Sequence, residues 1–230
     1  MDVPRLFQIK VTQVQMVKDR GFVHMDEPWI PVEETISQFG LEDFVTTYSF
    51  DDNHDRLSFK RSNLSAFYQP KNVDDPYRRL YVYYNKYDPD VKNIGKEEIE
   101  NFIGVVIDAN VTDAIIIADK PLTPQAKDLL MRAGTVSIQV FEDKELTFNV
   151  TLHDFVPKHE LLDEKEQRKM ICLNHITINQ LPLIRVDDPV VKYYGWKVGG
   201  VVRIKRLIYE MSIPVSVMTY YRLIVPANIK

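Results

Sequence analysis

Leu181 to Arg206 reads LPLIRVDDPVVKYYGWKVGGVVRIKR, and this stretch decides the fold of the C-terminal part of the chain. Pro182 ends whatever precedes it, because its ring fixes φ and removes a backbone donor. Asp188-Pro189 opens a short helix, with Asp as N-cap acceptor and Pro at the first helical position, where a missing N–H costs nothing. Val190, Val191, Tyr193 and Tyr194 give that helix an apolar side, and Gly195 closes it in the left-handed conformation. After Gly199-Gly200, the run Val201 to Lys205 reads as a strand. A strand this short needs a partner. The candidate downstream is Met218 to Val225, rich in Tyr, Leu, Ile and Val.

Working outward towards the N-terminus, Asp163 with Glu166 three residues on predicts a capped helix running to Asn174. Leu146 to Val150 is expected to be a strand, and the acidic run Glu142 to Lys144 a turn at a domain boundary. Upstream, Leu80 to Tyr84, Ala114 to Ala118 and Val136 to Phe141 read as strands. The second is continuously apolar, as in a strand buried on both faces. Lys96 to Val106 and Thr123 to Arg132 read as helices. Strand and helix in alternation indicate an α/β layer with parallel neighbours. Apolar spacing at Phe7, Val11, Val14 and Val17 predicts a helix over Pro4 to Arg20, stopped by Gly21. Between residues 26 and 76, Pro28, Pro31 and Pro70 break the pattern. Glu33 to Phe39 is expected to be a short helix, Leu57 to Phe59 a strand centre and Phe50 to Asp55 a turn. The expected architecture is an α/β N-terminal domain, residues 1–143, and a small α+β C-terminal domain, residues 144–230.

With 230 residues the chain can bury roughly 70% of its unfolded surface. Its net charge is −4 and its pI about 5.8, which disfavours free-standing nucleic-acid binding while leaving room for local basic patches. Cys172 is the single cysteine, so no intramolecular disulfide framework exists and a reducing compartment fits. No apolar run approaches the ~18 residues that span a bilayer, so no membrane partner is expected. The first residues lack the apolar core of a secretory signal.

Three constellations could carry chemistry. Thr123-Pro124, with Lys120 just before, places unpaired N–H groups at a helix start, which suits a phosphate or simply a capped, solvated helix. His153, His159, Cys172 and His175 contain one CxxH pair with no second pair at zinc-site spacing, so no metal is expected. Pro89-Asp90 and the distant Glu142-Asp143-Lys144 mimic the acidic-plus-lysine set of a metal-dependent nuclease. No phosphate-cradling glycine motif is present. Tyr193, Tyr194, Trp196, Tyr220 and Tyr221 can be a small core, interface anchors, or both.

The pattern LPxIxxxDPVxxYxGxKxGxVVxIxR, carried here by Leu181-Pro182, Ile184, Asp188-Pro189-Val190, Tyr193, Gly195, Lys197, Gly199, Val201-Val202, Ile204 and Arg206, resembles a known signature. It belongs to the fifth-ranked, shared subunit of eukaryotic nuclear RNA polymerases and its smaller archaeal relative. Asn149 to His159 resembles the inter-domain segment of that family, Met16 to Phe22 its first helix, and Leu122-Thr123-Pro124 its Thr-Pro turn. The resemblance is weak from Met25 to Tyr77.

The resemblance implies a non-catalytic polymerase subunit, working in the nucleus, with no cofactor and no small-molecule substrate. Its N-terminal α/β domain is a jaw near downstream duplex DNA, which the resemblance brings to Lys120, Thr123, Pro124, Gln125, Ala126 and Lys127 through backbone phosphates. Its C-terminal domain is an assembly domain that docks on the largest subunit. The positions implied there are His153, Val156, Pro157, His159, Pro182, Arg185, Asp188, Pro189, Tyr193, Gly195, Lys197, Arg206 and Arg222. The chain departs from the pattern where the family carries Arg at Leu183 and Val198, and where a polar loop is replaced by Leu207 to Thr219. These departures imply a divergent member restricted to one polymerase class, such as RNA polymerase I in the nucleolus. The alternatives are a nuclease-like enzyme and a free transcription-factor adaptor.

Overall fold

The computed structural model describes residues 2–25, 40–52, 56–71, 78–134, 136–210 and 213–228. The chain forms two compact units, Met1–Phe148 and Asn149–Lys230.

The N-terminal unit begins with α1 (Val3–Asp19), whose N-cap Asp2 accepts from the Arg5 N–H at 3.2 Å. Gly21, at φ 82, turns the chain into β1 (Phe22–His24). Next come α2 (Leu41–Tyr48) and the antiparallel hairpin of β2 (Ser49–Asp52) and β3 (Arg56–Phe59). The expected turn at Phe50 to Asp55 is therefore partly strand, because residues 49–52 pair with 56–59 and only 53–55 lie outside the described residues. So do Pro28, Pro31 and the helix expected at Glu33 to Phe39.

β4 (Ala66–Pro70), β5 (Leu80–Tyr84), α3 (Lys96–Asp108), β6 (Asp113–Ala118), α4 (Pro124–Arg132) and β7 (Ser137–Glu142) complete the unit. The sheet order is β1-β4-β5-β6-β7, with β5, β6 and β7 parallel and the other pairs antiparallel. Two successive strand–helix–strand crossovers generate the parallel part, as the alternating sequence requires. Alternation along β5 sends Tyr81 and Tyr83 to one face and Leu80, Val82 and Tyr84 to the other. The first face packs on α3 and α4 through Ile99, Phe102, Val106, Ile116 and Ala126. α1 covers the second, where Gln13 bonds the hydroxyls of both Tyr68 and Tyr84.

That second face also holds Lys10, which is buried and donates to the Leu64 carbonyl at 2.9 Å and to the Tyr68 hydroxyl at 3.5 Å. Its ammonium lies 5.7 Å from the Tyr48 ring centroid and 5.6 Å from that of Tyr84.

The C-terminal unit is a second sheet, order β8-β10-β11-β9, built from β8 (Lys158–Leu161), β9 (Leu183–Arg185), β10 (Val201–Glu210) and β11 (Ile213–Val225). α5 (Glu164–Asn174) and α6 (Pro189–Tyr194) cover its two faces. Val202, Ile204, Ile184 and Ile224 meet Val191 of α6, and Val201 with Leu181 and Leu162 meets Met170 of α5. Asp188 caps α6 by accepting from the N–H groups of Val190 and Val191, and Gly195 ends it at φ 68. Tyr193 is buried and Trp196 stacks on Tyr194 with ring centroids 4.6 Å apart.

Two expectations need correction. Leu146 to Val150 is not a strand. The Asn149 side chain accepts from the N–H and hydroxyl of Thr151, and this local turn replaces ladder pairing. Leu207 to Thr219 is not a loop. β10 and β11 pair from Val201↔Leu223 out to Glu210↔Ile213, with a register shift beside Pro214, which has no N–H to donate.

Two outcomes follow from these contacts. Burial lowers the Lys10 ammonium to about 7, whereas the unfolded chain holds that proton to near 10.5. The folded state is penalised below pH 7, and the penalty fades as pH rises towards 10.5. The stability difference between Lys10→Met and the native chain, read by urea unfolding at pH 6, 7.5 and 9, should shift against the variant above pH 7. The slope is up to about 1.4 kcal/mol per pH unit. Gly195→Ala should lower stability by about 1–2 kcal/mol in thermal unfolding, because Cβ is strained in the left-handed region.

Candidate docking and nucleic-acid interfaces

In the N-terminal unit, the turn before α4 is held by a bridge between Ile94 and Leu122 and by the Thr123 N–H donating to the Ile94 carbonyl at 3.1 Å. The Thr123 hydroxyl accepts from the Ala126 N–H at 3.3 Å, so the predicted cap is formed. Pro124, Gln125 and Lys127 are exposed and Thr123 is half-buried. Ala126 is fully buried against the sheet, so its side chain anchors the helix and offers no surface. Lys120 turns back on its own loop, donating to the carbonyls of Asp88 and Val91 and lying 5.8 Å from the Tyr87 ring centroid.

The carboxylates singled out for nuclease chemistry are engaged elsewhere. Asp143 receives both terminal nitrogens of Arg61, at 2.7 and 2.5 Å. Glu142 pairs with Lys144 at 2.5 Å, while Glu145 accepts from the Glu142 N–H at 2.7 Å. Asp90 is exposed and its N–H donates to Asp88. Asp119 accepts from Asn85 at 2.7 Å. Among the described residues, no group of three or more His, Cys, Asp or Glu side chains could hold a metal ion. Cys172 is exposed, and His175 is the left-handed C-cap of α5 at φ 51.

The C-terminal unit gathers part of the implied docking set into one pocket of about 380 Å³, lined by Pro157, His159, Ile184, Asp188, Ile204, Arg206, Tyr220 and Arg222. Strand alternation explains it. Ile204 faces His159 of β8 on one side and Tyr220 of β11 on the other, and Arg206 and Arg222 follow at two-residue steps on the same face. Towards Gly195 this face is covered by α6, and beyond α6 it stays open. His159 Nδ1 lies 2.6 Å from the Pro157 carbonyl, so the neutral ring donates from Nδ1 and presents a lone pair at Nε2. Burial pushes its pKa below the ordinary histidine value, against the opposing pull of Asp188. Tyr220, Ile184 and Ile204 complete the pocket. The alternation of Val202-Ile204-Arg206 and Tyr220-Arg222 is the signal that could have placed them together.

The remaining implied residues do other work. Tyr193 is core, and its hydroxyl accepts from Asn149 at 2.9 Å. The Pro182 carbonyl accepts from the Leu223 N–H at 2.9 Å. Arg185 is paired with Asp187 at 2.6 Å. His153 Nδ1 accepts from the Phe155 N–H, Val156 is half-buried, and Pro189 and Lys197 are exposed.

Residues 148–224 match the family described as RNA polymerase Rpb5, C-terminal domain. The "DNA-directed RNA polymerases I, II, and III subunit rpabc1" of Dictyostelium discoideum is 31% identical, covering 89% of this chain and 91% of that protein. The chain belongs to the Rpb5 family. The corresponding Caenorhabditis elegans subunit is 31% identical over 90% of both chains. The "DNA-directed RNA polymerase subunit 5-like protein 1" of Arabidopsis thaliana is 28% identical over 89% of this chain and 90% of its own length.

All eight pocket residues fall inside the Rpb5 C-terminal match. Residues 43–147 match a second family, described as restriction endonuclease. That span contains the carboxylates of Asp119 and Asp143, and in this Rpb5 family member Asn85 and Arg61 occupy them. Arg61→Ala removes a guanidinium that is almost fully buried and leaves Asp143 without it. It should destabilise the N-terminal unit by about 3–5 kcal/mol, read as an early transition in urea unfolding.

Proposed function

We propose that this chain is a non-catalytic structural subunit of a nuclear DNA-directed RNA polymerase. One observation carries this: identity of about three residues in ten with named polymerase subunits, sustained over nine-tenths of both chains. The C-terminal unit is the assembly domain, docking on the largest subunit through the face that holds Pro157, His159, Asp188, Arg206 and Arg222. The N-terminal unit is the jaw. Its contribution to downstream duplex comes from Thr123, Pro124, Gln125 and Lys127, which meet backbone phosphates and position the duplex without reading bases.

The docking surface also supports restriction to one polymerase class. Leu183 and Val198 stand exposed, 47% and 50%, where arginine belongs to the family pattern. Exposed apolar positions in place of cations change partner choice more readily than fold. If that class is RNA polymerase I, the chain works in the nucleolus.

A nuclease reading has the restriction-endonuclease match in its favour. Magnesium-dependent cleavage of duplex DNA by the purified chain, abolished by Glu142→Ala, would establish it. The polymerase reading is tested by tagging the chain in its native cells and identifying every co-purifying large subunit after a moderate-salt wash. Recovery of one class of largest subunit is the expected result. Recovery of all classes would make it a generally shared subunit, and recovery of none would overturn the reading.

A further inference from the structure

The pocket of the C-terminal unit contains an unbalanced charge. In this unit Arg168 holds Glu164, Arg185 holds Asp187, and Arg203 holds Glu160 and Glu166. Arg206 and Arg222 hold no carboxylate among the described residues, and both line the pocket. The one carboxylate there, Asp188, already accepts from the N–H groups of Val190 and Val191 at 3.0 and 3.5 Å. With His159 neutral, two guanidinium groups face one carboxylate, which leaves one positive charge for an incoming monoanion. Guanidinium forks match a carboxylate with paired N–H donors. The rest of the lining, Pro157, Ile184, Ile204 and the Tyr220 ring, is apolar and suits a hydrocarbon neighbour of that carboxylate.

The backbone beside the pocket is also open. β8 pairs with β10 only over Val202–Lys205, so on that side the described part of β10 from Arg206 onward has no strand against it. An extended segment can lie there, in line with β8, and present alternate side chains to the pocket face.

We propose that the pocket receives an Asp or Glu side chain, flanked by an apolar residue, from an extended segment of the polymerase subunit on which this chain docks. The proposal rests on the polymerase reading above. A polyanion such as nucleic acid fits less well, because Asp188 stands in the pocket and only one positive charge is left over.

The test uses the full tagged chain in its native cells. Arg206→Glu with Arg222→Glu should reduce recovery of the partner subunit by about tenfold or more. Lys165→Glu with Arg168→Glu, an equal charge change on α5, should not. Where the first pair lowers the melting temperature, Arg206→Gln with Arg222→Gln carries the comparison. A photo-reactive benzoylphenylalanine at position 220 should cross-link to a segment bearing Asp or Glu. Changing that acidic residue to Arg should restore binding to Arg222→Glu. If the native chain recovers no polymerase subunit, the polymerase reading falls and the proposal with it. If the native chain recovers its partner and the folded charge-reversed pair recovers it equally, the proposal alone falls. Cross-linking to nucleic acid, or to a segment without an acidic residue, overturns it as well.

Discussion

Parallel strands end with carbonyl groups that no neighbour in the ladder completes, and in the N-terminal unit the Arg61 guanidinium gathers three such ends. It donates to Asn85 just past β5 at 3.1 Å, to the Ile117 carbonyl of β6 at 3.1 Å, and to Asp143 just past β7. A buried ion pair of this kind is tolerable only when its donors are satisfied, since desolvating both charges costs several kcal/mol. The same short turn, Arg61–Leu64, ends in the carbonyl that receives the buried Lys10 ammonium of α1. One turn therefore ties the covering helix to the strand ends, and the α1 face depends on it.

The C-terminal unit is organised differently. Its long strands β10 and β11 are flanked by short ones, and each face is covered by one helix only near the base. The pocket exists because the strands continue where α6 stops. On the opposite face Glu160 is held by Lys158, Arg203 and Lys205, and these hydrogen bonds pull its carboxyl down to about 2. Charge is thus compensated on one face and left over on the other, so the two faces are chemically distinct although they share two strands.

Much of this was legible in the sequence. Apolar periodicity placed α1, α3, β5 and β6, and the residues Asp188, Pro189 and Gly195 gave both ends of α6, because cap chemistry is local. Local polar competition at Asn149 and Thr151 hid the absence of a strand, since propensity does not show which backbone group a side chain will capture. Leu207 to Thr219 looked like a loop because Pro214 argues against a central strand. It does not bar a ribbon with open edges. Ala126 and Lys120 were placed at the right turn, but which way each side chain faces is a tertiary fact. The pocket needed the β10–β11 register, which brings Arg206 and Arg222 together from segments that are far apart in the chain.

The projecting ribbon also bears on the life of the chain before assembly. Leu207, Val217, Met218 and Tyr220 are exposed on it, and the described outer part of β10 has no partner strand on its outer side. Open edges with apolar side chains are templates for pairing with further copies. A copy made in excess of its partners carries a self-association hazard that a docked copy does not. Synthesis matched to the larger subunits, or rapid removal of orphans, is thus a requirement set by the shape of one hairpin.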